Sequence, residues 1–162
     1  MKHTISILVE NHAGVLARVA GLFARRGFNI DSLAVGVTED EKISRITIIA
    51  DGTAYTLEQI EKQLNKLIDV IKVRHLPAEE LLSRELVLIK VACQPSQRAE
   101  LISLAEIAKA KISDITVNTM TLELSDSVPR IKTFEELLRP YGIKETVRTG
   151  SIAMQKGDRK ST

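Results

Sequence analysis

The chain of 162 residues is predicted to be an α+β protein made of two tandem units that share one order of elements, β-α-β-β-α-β. Three observations carry this prediction. Some stretches alternate apolar and polar residues, whereas others repeat apolar residues at helical spacing. The switches between the two periods come in the same order in each half. Between the halves, Leu76-Pro77-Ala78-Glu79-Glu80 shows no period, and Pro77 cannot continue a hydrogen-bonded ladder.

In the first half, Ile5, Ile7 and Val9 alternate with Thr4, Ser6 and Leu8, predicting a strand over residues 3–10. From Gly14 the period changes. Val15, Val19, Leu22 and Phe23 define one helical face, Arg25 and Arg26 suit the negative end of the helix dipole, and Gly27 suits a left-handed cap. Phe28 to about Thr38 reads as a second strand, Thr38-Glu39-Asp40-Glu41-Lys42 as a hairpin turn, and Ile43–Ala50 as a third strand. Thr56 and Gln59 stand at capping-box spacing before a helix that faces inward through Leu57, Ile60, Leu64, Leu67 and Ile68. Val70–His75 closes the unit as a short strand. This order defines a ferredoxin-like sheet with two helices on one face.

The second half repeats the pattern. Arg84–Ala92 is a strongly apolar strand, followed by a helix from about Gln97 to Ala110 with Leu101, Leu104, Ala105 and Ala108 inward. Strands are predicted at Ile112–Val117 and Met120–Leu124. A helix with Pro129 in its first turn then faces inward through Ile131, Phe134, Leu137 and Leu138, and Ile143–Arg148 is the last strand. The predicted organisation is therefore a domain of residues 1–77, a linker of 78–83 and a second ferredoxin-like domain of 84–162. The polar run from Lys156 to Thr162 is expected to fray.

Composition narrows the function. A net charge of +2 is no polyelectrolyte signal, and three Phe, two Tyr and no Trp leave little aromatic surface for stacking on bases. No apolar run reaches membrane-spanning length and no signal-peptide layout opens the chain. With a single cysteine, Cys93, the expectation is a reducing compartment: the cytoplasm, or the plastid stroma in a plastid-bearing organism. Cys93 itself reads as a small buried hydrophobe. Nucleic-acid and membrane partners are not expected. No nucleophile elbow, phosphate-binding glycine loop or metal-ligand spacing is present, and His3, His12 and His75 are scattered, so no catalytic residue and no metal site is assigned.

One stretch has chemistry to offer. Glu10-Asn11-His12-Ala13-Gly14-Val15-Leu16-Ala17-Arg18 leaves a strand and opens a helix almost without pause. The first N–H groups of a helix lack partners within it and carry partial positive charge, so such a junction receives anions. Gly14 lets a ligand approach the backbone. Asn11 and Asn29 offer donors and acceptors for a polar head, and Val15, Leu16 and Ile30 offer apolar walls. A small amino acid with a short aliphatic side chain fits this chemistry. The same stretch also serves as an ordinary strand-to-helix turn with a local Asn cap, and the loop by itself does not choose.

The residues Asn11-x-x-Gly14-x-Leu16-x-Arg18 and Arg26-Gly27-Phe28-Asn29-Ile30-Asp31-Ser32-Leu33 resemble the ACT domain in the form carried by acetolactate synthase (acetohydroxyacid synthase) small subunits. Ser44–Thr47, Glu58–Leu67, Arg84–Val91 and Arg148-Thr149-Gly150 extend the resemblance over nearly the whole chain. It implies a regulatory subunit without an active site or cofactor of its own. Such a subunit activates a catalytic large subunit that uses thiamine diphosphate, Mg²⁺ and FAD in branched-chain amino-acid biosynthesis. It implies feedback inhibition by valine and a homodimer through ACT domains paired side by side. By the same resemblance, Asn11, Ala13, Gly14, Val15 and Leu16 contact the effector from one chain, and Asn29 and Ile30 from its partner. A free-standing ACT-type amino-acid sensor is the competing expectation.

Overall fold

The computed structural model describes residues 1–158 and divides the chain into two compact units. The first holds Lys2–Glu10 (β1), Val15–Arg25 (α1), Ile30–Val37 (β2), Ile43–Asp51 (β3), Ala54–Leu64 (α2) and Val70–Leu76 (β4). Its strands pair antiparallel in the order β2-β3-β1-β4. Because Ile5 stands opposite Ile48 and Ile7 opposite Ile46, these four side chains share one face. That face is closed by Val15, Val19, Leu22 and Phe23 of α1 and by Ile60 and Leu64 of α2, which makes the core.

The end of α1 shows how local sequence positions the next element. Gly27 takes φ +71, its N–H donates to the Ala24 carbonyl (3.1 Å), and the Phe28 N–H donates to the Phe23 carbonyl (3.0 Å). This is the Schellman termination, which needs a left-handed residue at Gly27. The apolar contact that accompanies it is an edge-to-face pair between the Phe23 and Phe28 rings, 6.5 Å apart. The chain is thereby aimed into β2.

The start of α2 differs from the sequence expectation. Thr53, not Thr56, is the N-cap: it is extended (φ −89, ψ 168) and its hydroxyl accepts from the Thr56 N–H at 3.2 Å. Thr56 lies inside the first turn, over Gly52, where a Cβ would come within 2.8 Å of Thr56 Cγ2. Removing the cap with Thr53→Ala is expected to cost about 1 kcal/mol, measured by denaturant unfolding. Ile68 is also not on the inner face and is 94% exposed. The helix stops at Leu64, and the 3₁₀-type bonds from Lys66 to Gln63 and from Leu67 to Leu64 break the helical period before Ile68.

The first unit also brings two histidines together. His3 Nε2 faces the Gly52 carbonyl at 3.1 Å, which can only accept, so His3 Nδ1 is left to accept from His75 Nε2 at 3.3 Å. Burial first, and the neighbouring His3 second, hold His75 below the ordinary imidazole value. Sequence spacing did not show this pair.

The second unit holds Leu81–Ala92 (β5) from Ser83 onward, Arg98–Ala108 (α3), Lys111–Ile115 (β6), Thr119–Asp126 (β7), Val128–Leu138 (α4) and Ile143–Arg148 (β8), with the main sheet order β6-β7-β5-β8. Val87, Ile89 and Val91 pack with Met120, Leu122, Leu101, Ile131 and Phe134, and Cys93 is fully buried beside them. α3 stops at Ala108, short of the predicted Ala110, because Lys109 adopts φ +59. Leu137, expected inside, sits at the edge of the apolar stripe and is 50% exposed.

Two boundaries differ from those read in sequence. Residues 78–83 are not an unstructured connection: Ala78–Glu80 makes one 3₁₀ turn and β5 already begins at Leu81. By its contacts the segment 151–158, read in sequence as the end of the second domain of 84–162, groups with the first unit. Ser151 N–H donates to Ser32 Oγ (2.8 Å), Lys156 N–H donates to the Glu80 carbonyl (2.8 Å), and Ile152–Gln155 forms a short strand (β9). Four residues are too few for alternation to register in sequence. The expected fraying of the tail falls mostly on residues 159–162, outside those described.

Candidate functional site

The junction between β1 and α1 is as abrupt as the sequence predicts. Gly14 is the N-cap, with φ +86 and ψ −11, a left-handed conformation that glycine adopts without strain. The Arg18 N–H makes the first bond back, to the Gly14 carbonyl at 3.1 Å. Val15, Leu16 and Ala17 therefore present N–H groups that have no carbonyl one turn back, and no side chain caps the helix. The first turn carries no acidic residue, so the positive end of the helix dipole is not offset from within α1.

Asn11 does not act as the local cap. Its Nδ2 donates to the Glu41 carbonyl and its backbone N–H to the Lys42 carbonyl, both at 2.8 Å, which ties the loop to the β2–β3 hairpin. Ala13 and Gly14 are exposed, and Leu16 is 42% exposed at the loop. Val15 is buried in the core, so it offers a ligand its backbone rather than its side chain. Asn29 is exposed, and its Nδ2 donates to Asp31 Oδ1 at 2.9 Å; Ile30 is half-buried against the core.

The seven predicted residues thus fall into two groups, one at each end of α1. The helix has 11 residues, and at 1.5 Å per residue it separates the groups by about 16 Å. Within one chain they cannot grip a single small amino acid.

Sequence reasoning missed the groups that hold the loop. Asp69, in the turn between α2 and β4, has a side chain only 8% exposed, yet it is the centre of a charged network. Arg18 reaches Asp69 Oδ2 through Nε (2.7 Å) and Nη2 (2.5 Å). His12 Nε2 lies 3.0 Å from Asp69 Oδ1 and 3.1 Å from Glu10 Oε2. The Asp69 carbonyl accepts from the Glu10 N–H at 2.9 Å. The signal was available: Asp69 is the one charged residue in Leu67-Ile68-Asp69-Val70-Ile71, and a carboxylate placed in an apolar run needs a cation.

His12, given no role in the sequence reading, is half-exposed but paired. The hydrogen bond to the Glu10 carboxylate first, and the Ala13 carbonyl second, hold it above the ordinary imidazole value against the opposing effect of desolvation, with the Asp69 charge adding a lesser push in the same direction. Glu10, His12 and Asp69 bring three donor atoms within 4.8 Å of one another. Arg18 already occupies Asp69 Oδ2 and the imidazole bridges both carboxylates, so side chains alone compensate these charges and the arrangement is an ion-pair network.

A four-stranded antiparallel sheet under two helices, with an open helix start after its first strand, is the architecture of ACT-type ligand-binding domains. Residues 5–72 match the family model described as the AHAS small subunit-like ACT domain, and residues 84–157 match the model described as the small subunit of acetolactate synthase. A protein named probable acetolactate synthase small subunit from Archaeoglobus fulgidus is 49% identical over 160 residues, spanning 99% of this chain and 100% of its own. The acetolactate synthase small subunit of Mycobacterium leprae is 45% identical over 97% of this chain and 93% of its own. The crystal structure of the acetolactate synthase small subunit from Thermotoga maritima superposes with a TM-score of 0.91 at 38% identity, covering 98% of this chain and 99% of that one. The chain belongs to the family of acetolactate synthase small subunits, the regulatory rather than catalytic part of that transferase. No helix among the described residues is long and apolar enough to cross a membrane.

Proposed function

We propose that this chain activates a thiamine-diphosphate-dependent catalytic subunit and makes it sensitive to feedback by valine, through an effector pocket completed by a second copy of the chain. The observation that carries the second half is the separation of the two residue groups along α1. β2 is an edge strand of its sheet, begins immediately after Asn29 and ends at the hairpin that holds Asn11. If β2 pairs antiparallel with the same strand of a second copy, the start of one strand lies against the end of the other. That brings Asn29 and Ile30 of one copy to Asn11, Ala13, Gly14, Val15 and Leu16 of the other. Edge pairing also removes two exposed strand edges, which favours the closed twofold arrangement. Occupancy of a pocket shared across the seam then changes dimer geometry, which is the coupling a feedback switch needs.

In this reading the effector's carboxylate sits on the N–H groups at the start of α1, its ammonium and carboxylate edges meet the two asparagines, and Leu16 and Ile30 flank its side chain. The chain itself holds no cofactor; thiamine diphosphate, Mg²⁺ and FAD belong to the catalytic partner. The proposed compartment is the cytoplasm.

The test is acetolactate formation by a purified catalytic subunit with and without this chain, across a valine titration. Stimulation reversed by valine supports both halves. Stimulation indifferent to valine, leucine and isoleucine removes the effector half, and no stimulation favours a free-standing ACT-type sensor. In the same assay, Asn29→Ala is expected to weaken inhibition by about 1.5–3 kcal/mol, the worth of one hydrogen bond to a charged group.

A further inference from the structure

The Asp69 network lies outside the seven residues assigned to the pocket, yet it grips the loop that carries five of them. Asp69 is anchored twice in the scaffold: its carbonyl takes the Glu10 N–H at the end of β1, and its carboxylate is buried between α1 and the turn before β4. From that anchor it holds Arg18, one turn into α1, and His12, two residues before Gly14. Arg18 uses Nε and Nη2 on Asp69, and Nη1 comes to 3.1 Å from where a Cβ on Gly14 would stand. The guanidinium is therefore held against the open side of the helix start.

We infer that Asp69 is the positioning residue of the effector loop, and that His12 makes its grip depend on pH. This inference rests on the reading of the loop as the effector site. The reason lies in the two imidazole nitrogens. Nε2 faces the Glu10 and Asp69 carboxylates, and Nδ1 faces the Ala13 carbonyl at 3.4 Å. All of these groups are acceptors, so only an imidazolium, with two N–H groups, donates on both sides. A neutral ring has one proton to give and must leave either the carboxylates or Ala13. The charged groups around His12 are Glu10 from β1, Asp69 from the α2–β4 turn and Arg18 from α1; the two carboxylates outweigh the one guanidinium, which is already bound to Asp69.

The sign follows from the direction of the shift. His12 in the folded chain binds its proton more tightly than an ordinary imidazole of pKa 6.5. The clasp is therefore complete below that value and is lost as pH rises through the higher folded value. The loop is held receptive at low pH and loosens above it.

Valine binding to the purified full-length chain, measured by calorimetry at about pH 6 and about pH 8.5 on either side of the imidazole transition, tests this. The wild-type chain should bind roughly two- to tenfold more tightly at the lower pH, the range spanned by the net worth of one ordinary hydrogen bond, since His12 acts on the loop and not on the ligand. His12→Lys, which keeps the cation at both pH values, should bind tightly and without this pH dependence. His12→Ala should bind weakly and equally at both. Asp69→Asn, which keeps the shape and removes the charge, should weaken binding at both. Because His12 is on an exposed loop, its variants give an answer even if Asp69→Asn fails to fold. Wild-type pH dependence that persists in both His12 variants overturns the inference, as does wild-type affinity in a folded Asp69→Asn. A wild-type chain that binds valine equally at both pH values overturns it while leaving the effector reading intact; one that binds no branched-chain amino acid overturns both.

Discussion

Gly14→Asp is expected to desensitise the holoenzyme to valine by on the order of a hundredfold or more, the loss of two hydrogen bonds to a charged ligand at about 1.5–3 kcal/mol each. Three effects act in the same direction. At φ +86 any side chain strains the backbone, by about 1–3 kcal/mol for residues other than glycine, with aspartate toward the lower end. The new Cβ stands 3.1 Å from Arg18 Nη1, so the added carboxylate comes within reach of that guanidinium and of the N–H groups that begin α1. It then occupies the place proposed for the effector's carboxylate and repels it. Gly14→Ala separates these effects, because it brings the strain and the Cβ without the charge, and it should lose sensitivity less. Both variants are read by a valine titration of acetolactate formation, with stimulation in the absence of valine as the control for folding. Wild-type inhibition in Gly14→Asp would move the effector site away from this loop.

Much of this arrangement was legible in the sequence because it is local. The left-handed cap at Gly27, the apolar face of α1, and the hairpin between β2 and β3 all follow from short-range spacing and turn chemistry. What was not legible depends on where the chain goes next. Thr56 stands at capping-box spacing, but the helix already starts at Ala54 with Thr53 as its cap and Thr56 in the first turn. Ile68 satisfies helical spacing on paper, but the helix ends four residues earlier. The residues that flank β9, Ser151 and Lys156, find their partners far away in sequence, at Ser32 and Glu80, where no periodicity points. The candidate site divides in the same way. The loop and its glycine could be read directly, whereas the role of Asp69 exists only because the 56 residues between it and His12 (13–68) fold back to place the two side by side.

Phe23→Ala is expected to destabilise the first unit by about 3–5 kcal/mol, a large part of the roughly 5–15 kcal/mol that holds a domain together. Phe23 is fully buried, and truncating it leaves a cavity between α1 and the sheet where Ile5, Ile7, Ile46 and Ile48 converge. The loss is not confined to burial. The ring is the inner half of the edge-to-face pair with Phe28, and the Phe23 carbonyl accepts the Phe28 N–H that closes the Schellman turn. Alanine keeps the carbonyl but removes the apolar contact that accompanies this turn, so α1 should fray at the end that delivers Asn29 and Ile30. At about 4–8 °C per kcal/mol for a domain of this size, the melting transition of this unit should fall by at least about 12 °C. The second unit has a separate core around Val87, Ile89, Leu122 and Phe134, which the substitution does not enter. Amide exchange should accordingly quicken across β1, α1 and β3 while the amides of β5 and β7 keep their protection. Equal acceleration in both units would mean that they unfold as one cooperative body. A shift of only a few degrees would mean that the neighbouring isoleucines close over the cavity.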